Sequence, residues 1–212
     1  MDIEKFISTR QFLYHLTDKR NLPSILDTYT LKSTKVLVNE STLSGKANFL
    51  KARRQDHYAL VINGNQIFLR DQHPLSEKIV MKNMTPGWTF GDFVYSLNSR
   101  VFFWSTEKDL RSHYSRYEKK GEFPVILRVD TSEMIATNSI KPQFCKYNSG
   151  GPRCHHSFPE GAAPRGVDTF LKAQTFPFSH NEVREVTFLE QCQLSPSLSI
   201  ASHPDKSYRK PN

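Results

Sequence analysis

Apolar residues occur along the chain in short runs separated by polar turns, a pattern that predicts strands and helices in one mixed fold. Four runs rich in aromatic and β-branched residues predict strands over residues 12–16, 100–104, 124–130 and 183–189. Residues 58–62 and 66–70 flank Asn63-Gly64, a strong short-range signal for a hairpin turn. The sequence therefore predicts several strands, two of them joined by a tight turn.

Helices are predicted where apolar residues recur at helical spacing behind a residue that can cap them. Asn21 precedes Leu22, Pro23 and Ile25, so it is a candidate N-cap, and the proline stands where it breaks no hydrogen bond. Further helices are predicted over residues 41–54, 75–84, 88–98, 108–117 and 132–136. Residues 139–180 are rich in proline and glycine and predict a long loop, which is typical of a binding segment.

The length and composition predict one domain. A chain of 212 residues with 37% hydrophobic content can build one good core, which we assign to residues 1–194, followed by a polar, partly disordered tail over 195–212. No run of about 18 apolar residues occurs, and the N-terminus lacks the apolar segment of a signal peptide. The odd count of three cysteines favours free thiols in a reducing compartment. We expect a soluble, cytoplasmic protein with no membrane partner.

The chain is basic, with 29 lysines and arginines against 21 acidic residues and a net charge of +8. This balance favours a polyanionic partner such as nucleic acid, although many small proteins are basic without binding one. A basic face is expected on the helix over 108–117 and just beyond it, at Arg111, Arg116, Lys119 and Lys120.

A resemblance to a known family begins at the first strand. Tyr14-His15-Leu16-Thr17, followed by Asn21-Leu22-Pro23-Ser24-Ile25-Leu26, resembles the first motif of the DarT-type ADP-ribosyltransferases, which holds NAD. The resemblance implies that His15 contacts a ribose hydroxyl, that Asn21 lies beside it, and that Thr17 and Leu22 complete the motif. The free N–H groups of a helix starting here suit an anion or a ribose.

Later blocks extend the resemblance from about residue 12 to residue 194. Residues 69–74, 97–104, 148–150, 164–170 and 183–186 look like the recurring blocks of a poorly characterised bacterial domain family, which we regard as a relative of DarT. The CmdT-type toxins of phage-defence modules are similar in size and implied chemistry. The resemblance implies an α+β fold: split, mostly antiparallel sheets around an NAD cleft, with flanking helices.

NAD would be consumed as a substrate, and its chemistry needs a carboxylate. Breaking the nicotinamide glycosidic bond builds positive charge on the ribose, as in glycoside hydrolysis. We expect Glu185 to meet that charge; Glu182 is the rival, and a strand-edge charge paired with Arg184 is the structural alternative. The resemblance leaves two candidates, Arg54 and Arg70, for the catalytic arginine that contacts the pyrophosphate.

The function that follows is a toxin that transfers ADP-ribose from NAD to a base, with single-stranded RNA favoured over single-stranded DNA and a protein antitoxin as partner. Arg153, Arg165 and Tyr147 are the expected nucleic-acid contacts, with Phe158 as a further stacking residue. Two alternatives are an NAD-dependent RNA 2′-phosphotransferase, which typically carries more arginines, and a non-catalytic nucleic-acid-binding module. No metal is expected, because Cys145, Cys154, His155 and His156 match no closed zinc pattern.

Overall fold

A computed structural model describes residues 1–118, 122, 124–151 and 163–211 of the chain. Within these residues the strands are β1 (Phe12–Asp18), β2 (Thr30–Lys32), β3 (Tyr58–Ile62), β4 (Asn65–Leu69), β5 (Arg100–Trp104), β6 (Pro124–Asp130), β7 (Gln143–Cys145), β8 (Leu171–Lys172), β9 (Glu185–Leu189), β10 (Gln191–Gln193) and β11 (Ser199–Ala201). The helices are α1 (Ile3–Thr9), α2 (Leu22–Thr28), α3 (Thr34–Glu40), α4 (Lys46–Lys51), α5 (Glu77–Val80), α6 (Phe90–Asn98), α7 (Glu107–Glu118) and α8 (Thr131–Thr137).

Seven strands form the main sheet, in the order β11-β6-β1-β5-β9-β7-β8. Each strand pairing in the described part of this sheet is antiparallel. Two small antiparallel sheets, β10 with β2 and β3 with β4, complete the strands. The predicted α+β class with mostly antiparallel strands is confirmed.

The main sheet is joined at its centre by one residue pair. β1 pairs with β6 along all seven of its residues, and β5 pairs with β9 along all five. Between β1 and β5, however, the ladder contains only Tyr14 opposite Trp104. The sheet therefore opens beside this pair, and the opening exposes side chains from both halves.

Alternation along the central strands decides which side chains face the opening. Val101 and Phe103 of β5 and Val186 and Phe188 of β9 belong to the largest buried apolar cluster, where Phe103 and Phe188 pack edge to face at 5.8 Å. Because successive strand residues point to opposite faces, the intervening residues project away from this cluster. Glu185 and Trp104 are directly opposite each other in the ladder and share that other face.

The hairpin is confirmed, with its second strand beginning at Asn65, one residue earlier than predicted. β3 and β4 pair from Tyr58 with Leu69 to Ile62 with Asn65, and the turn residues Asn63 and Gly64 have φ of 49° and 79°. Positive φ at both central positions is what a type I′ turn requires, and Asn-Gly adopts it at low cost. The hairpin brings Phe68 and Arg70 to the open side of β1.

The second predicted helix is wrong in extent. Residues 41–54 contain only α4, which ends at Lys51, and the preceding apolar segment at 35–38 is part of α3. Residues 30–32 form the short strand β2. Arg53 and Arg54 consequently lie beyond the helix, and the Arg54 side chain reaches Asn98 and the backbone of Arg70.

The C-terminal segment corrects the prediction of a partly disordered tail. β11 pairs with β6 at the edge of the main sheet, Ile200 and Arg209 form a further bridge, and Tyr208 packs against Tyr14 with ring centroids 6.3 Å apart. Leu198 and Ala201 are buried. None of the helices in the described residues has the length and apolar content needed to cross a bilayer.

Removing residues 195–212 is therefore expected to destabilise the domain. The truncation exposes the edge of β6 and removes two or three buried side chains, so the free energy of unfolding should fall by roughly 3–6 kcal/mol. Urea unfolding measures this loss, and removal of residues 210–212 alone is the control. An unchanged midpoint in the longer truncation would show that β11 adds nothing.

Candidate functional site

A cleft of about 1270 Å³ occupies the opening between β1 and β5. Its walls come from β1, the β3–β4 hairpin, α7 and the start of β9. Six of the residues expected to bind NAD or act on it line this one cleft: His15, Thr17, Asn21, Arg54, Arg70 and Glu185. Leu22 does not line it, because its side chain packs against the main apolar cluster.

Glu185 is buried in the cleft wall. It is the first residue of β9, is 4% exposed, and accepts hydrogen bonds from the backbone N–H of Ser149 at 3.1 and 3.2 Å to its two oxygens. Burial raises the pKa of Glu185 to about 7, while the Ser149 bonds and the nearby Arg165 and Arg184 oppose that rise. The carboxyl group can therefore change its charge near neutral pH.

Arg165 holds the segment that contacts Glu185. Arg165 is 3% exposed, and its guanidinium donates to the carbonyl oxygens of Ser149 at 2.5 Å and Gly151 at 2.9 Å. These bonds fix the backbone whose N–H meets the Glu185 carboxylate. The side chain of Tyr147, 2% exposed, donates its hydroxyl to the Pro164 carbonyl and lies 4.9 Å from the Arg165 guanidinium.

The assignment of Arg165 and Tyr147 to nucleic-acid contact is therefore wrong for this structure, because both side chains are buried and engaged with backbone carbonyls. The other two expected contacts, Arg153 and Phe158, lie outside the described residues. So do Lys119 and Lys120 of the expected basic face and the residues considered for zinc, Cys154, His155 and His156. Arg111 is described, and its guanidinium is paired with Glu107 and Asp205.

His15 presents a neutral imidazole to the cleft. Its Nδ1 lies 2.7 Å from the carbonyl oxygen of Phe102 on β5, and since a carbonyl only accepts, Nδ1 carries the proton. Burial lowers the pKa of His15, although the bond to Phe102 partly opposes this. In the neutral ring Nε2 is then an acceptor, which suits a ribose hydroxyl.

The side chain of Asn21 holds the hairpin through hydrogen bonds. It precedes α2, yet its side chain makes no cap bond; instead it donates to the Phe68 carbonyl at 2.9 Å and accepts from the Phe68 N–H at 2.8 Å. The Thr17 hydroxyl accepts a further bond from the same amide at 3.3 Å. Asn21 thus fixes β4 against β1 and sets one wall of the cleft.

The two candidate arginines differ in what they already contact. Arg70 donates from Nε to Glu122 at 3.2 Å, and its guanidinium lies over the Tyr117 ring at 3.4 Å. Arg54 forms no ion pair within the described part of the chain, and its guanidinium donates to the Asn98 side chain at 2.8 Å and the Arg70 carbonyl at 3.1 Å. Burial lowers the pKa of Arg54 to about 10, so it remains a cation at neutral pH. Arg54 is the better anion receptor.

Glu182, the alternative carboxylate, and Arg184, the expected partner of Glu185, each pair with another residue. Glu182 pairs with Lys146 at 2.7 Å and accepts the Ser179 N–H, outside the cleft lining. Arg184 donates from Nε to Asp109 at 2.9 Å. The alternative in which Glu185 is a strand-edge charge paired with Arg184 is therefore wrong, because Asp109 takes that arginine.

A His57, Asp71 and Glu122 cluster also lines the cleft, with ligand atoms within 4.8 Å of one another. His57 lies 3.4 Å from Asp71 and 3.1 Å from Glu122. His57 Nδ1 accepts the backbone N–H of Asp71 at 3.0 Å, and the Arg70 guanidinium supplies a positive charge beside Glu122. Cys145 and Cys192 are both buried.

Residues 11–195 match the model of a family described as a family of unknown function, DUF7002. The chain belongs to this family. The matched region includes every residue that lines the cleft and leaves out β11. No curated protein and no solved structure matches the chain.

Several residues that build the site in this DUF7002 domain carry no strong sequence signal. Asn98 and Gln72 hold Arg54, and Ser149 meets Glu185 through its backbone. All three stand within the blocks that carry the family resemblance, at 97–104, 69–74 and 148–150. Their place in these blocks was the sequence signal that marked them as site residues. Their roles depend on a backbone atom or on a second side chain, and only the folded structure shows such contacts.

The raised pKa of Glu185 predicts a pH-dependent stability. The folded protein keeps this proton up to about pH 7 while the unfolded chain loses it near 4.5, so stability falls as pH rises between those values. The loss amounts to about 3 kcal/mol, and Glu185→Gln should not suffer it. Urea unfolding of both proteins from about pH 5 to about pH 8 tests this. Parallel curves for the two proteins would mean that Glu185 has an ordinary pKa.

Proposed function

We propose that the protein is an ADP-ribosyltransferase that consumes NAD and modifies a base of single-stranded nucleic acid, with RNA favoured over DNA. The observation that carries the proposal is the buried Glu185 carboxyl group on the wall of a cleft that also holds neutral His15 and the cation Arg54, which forms no ion pair with any described residue. The resemblance to the DarT-type enzymes supplies the chemistry that these groups suit.

In the proposed reaction the bond between the ribose C1′ and the nicotinamide nitrogen breaks, and nicotinamide leaves with the electron pair. An acceptor atom then bonds to C1′ and loses its proton. Glu185, when ionised, stabilises the positive charge that develops on the ribose, and the interaction strengthens as that charge grows. A carboxyl group with a pKa near 7 is also suited to taking the acceptor proton.

The other groups hold the two ends of the proposed substrate. Arg54 offers a planar, permanently charged donor set that matches a diphosphate, in surroundings where burial strengthens each charge-assisted hydrogen bond. His15 accepts a ribose hydroxyl at Nε2 while its Nδ1 stays on Phe102. Asn21 contributes by fixing the hairpin, which keeps Arg54 and Arg70 facing β1.

The proposed biological role is that of a phage-defence toxin in the cytoplasm, restrained by a protein antitoxin. This role rests on the resemblance to the DarT-type and CmdT-type toxins, and the net charge of +8 is in keeping with a nucleic-acid target.

One observation favours a second candidate function, an NAD-dependent RNA 2′-phosphotransferase. Five arginines line the described part of the cleft, Arg20, Arg54, Arg70, Arg100 and Arg116, and enzymes of that type typically carry several. Of these, Arg20 is paired with Asp18 and Arg70 with Glu122, which leaves fewer for a second phosphate. A 2′-phosphorylated RNA oligonucleotide incubated with NAD separates the two, since only the phosphotransferase releases the 2′-phosphate group from RNA.

Radiolabelled NAD incubated with RNA, denatured DNA or protein extract tests the proposal. The wild-type protein should label one nucleic-acid fraction, and Glu185→Gln should lower the rate by about 100-fold or more, because it keeps the shape but removes the charge.

Glu182→Gln is the matched control and should keep wild-type labelling, since Glu182 is paired with Lys146 outside the cleft. Label that survives in Glu185→Gln would contradict the assigned role, and no label in any fraction would favour a binding module without turnover.

Arginine-to-lysine variants separate the two candidate arginines. Arg54→Lys should raise the KM for NAD by about tenfold, because lysine loses the planar two-point contact with the diphosphate. Arg70→Lys should change it less, since Arg70 is committed to Glu122 and Tyr117. Initial rates at varied NAD, with urea midpoints as a check on folding, make the comparison; the reverse order would assign the role to Arg70.

A further inference from the structure

A second, smaller cavity of about 200 Å³ adjoins the NAD cleft. Trp104, His113, Arg116 and Asn148 line both spaces, whereas Asp109 and Arg184 line only the small one. The two cavities therefore share a wall made by the end of β5 and one face of α7. The mechanism described above uses none of these six residues.

We propose that this cavity receives the acceptor base of a single-stranded nucleic acid, which stacks on the Trp104 indole. The inference rests on the proposed transferase function and adds where its second substrate binds. An enzyme that modifies a base must take it out of the stack and hold it in a fitted pocket, and aromatic side chains supply the stacking surface.

Trp104 is a neighbour of Glu185 across two paired strands. Trp104 lies directly opposite Glu185 in the β5–β9 ladder, so their side chains are on the same face with Cβ atoms about 5 Å apart. Both side chains line the NAD cleft. A base stacked on Trp104 is then next to the carboxyl group beside which the reacting ribose carbon is expected.

Two arginines line the small cavity. Arg116 is exposed and has no ion pair among the described residues, and Arg184 is half-exposed, with Asp109 as its partner. Cations at the rim of an aromatic wall suit the phosphates on either side of a base. A protein acceptor has no comparable need for this combination of a planar wall and flanking arginines.

His113 lines the small cavity beside Trp104. His113 packs against Trp104 with ring centroids 4.9 Å apart, and its Nδ1 is buried without a hydrogen-bond partner in the described residues. Burial, with Arg70 and Arg116 nearby, lowers the pKa of His113 to about 3, so the ring is neutral. The neutral His113 ring therefore extends the aromatic wall beside Trp104 without adding a charge to it.

Tryptophan fluorescence tests the proposal without any need for turnover. The chain has two tryptophans, Trp88 and Trp104, so Trp88→Phe leaves Trp104 as the only indole. In the double variant with Glu185→Gln, short RNA and DNA oligonucleotides should quench Trp104 emission, both with and without NAD. An abasic oligonucleotide of the same length and charge should not quench it.

Variants on and beside the indole test whether the same site gives the affinity. By fluorescence anisotropy of a labelled oligonucleotide, Trp104→Leu should weaken binding about tenfold or more, and Trp104→Phe should restore most of it. Arg116→Gln should weaken binding and reduce its salt dependence. Arg111→Gln, on the same helix but paired with Glu107 and Asp205, is the matched control and should have no effect.

Equal quenching by the abasic oligonucleotide would mean that only phosphates are contacted. Quenching by unfolded protein in place of nucleic acid would mean that the acceptor is a protein. Either result overturns the proposal, and so does the absence of quenching by every oligonucleotide. The outcome is independent of the labelling experiment. Base-dependent quenching with no transfer from NAD would support the base site and contradict the transferase function. Transfer from NAD without quenching would support the transferase function and contradict the base site.

Discussion

The single pairing of Tyr14 with Trp104 is the feature on which the site depends. If β1 and β5 were paired along their whole lengths, the main sheet would be continuous and no cleft would separate its halves. The separation is maintained from both sides: His15 spans it to Phe102, and Asn21 ties the hairpin to the β1 side. The apolar cluster behind β5 and β9 keeps the opposite wall, including Glu185, in place.

The cleft retains buried charges that a protein selected for stability alone would replace. Glu185 loses solvation in its folded position, and burial also lowers the pKa values of Arg54 and Arg100 to about 10. Such groups usually lower the free energy of unfolding relative to apolar residues of similar size. Their presence together fits the proposed substrate, because NAD brings a diphosphate for the arginines and a ribose that becomes cationic for the carboxylate.

Local signals in the sequence predicted the elements, and long-range contacts decided the roles. The Asn63-Gly64 hairpin, the strands around Phe103 and Ile126, and a strand that contains Glu185 all follow from patterns within a few residues, although that last strand begins at Glu185 and not at Val183. Asn21 was expected to cap a helix and touch NAD, yet it bonds to Phe68, 47 residues away. Arg165 was expected at the surface but is buried under the Ser149 segment, and the polar C-terminal residues form a strand because β6 offers an open edge.

Analysis of the reaction products is the most direct test of the central claim that the cleft carries out transfer from NAD to a base. RNA incubated with NAD and the protein would be digested to nucleosides and examined by mass spectrometry, with released nicotinamide measured in the same sample. We expect one nucleoside to carry an ADP-ribosyl group in an amount equal to the nicotinamide released, and neither product with Glu185→Gln. Nicotinamide released without a modified nucleoside, or no consumption of NAD in the presence of RNA and DNA, would contradict the account.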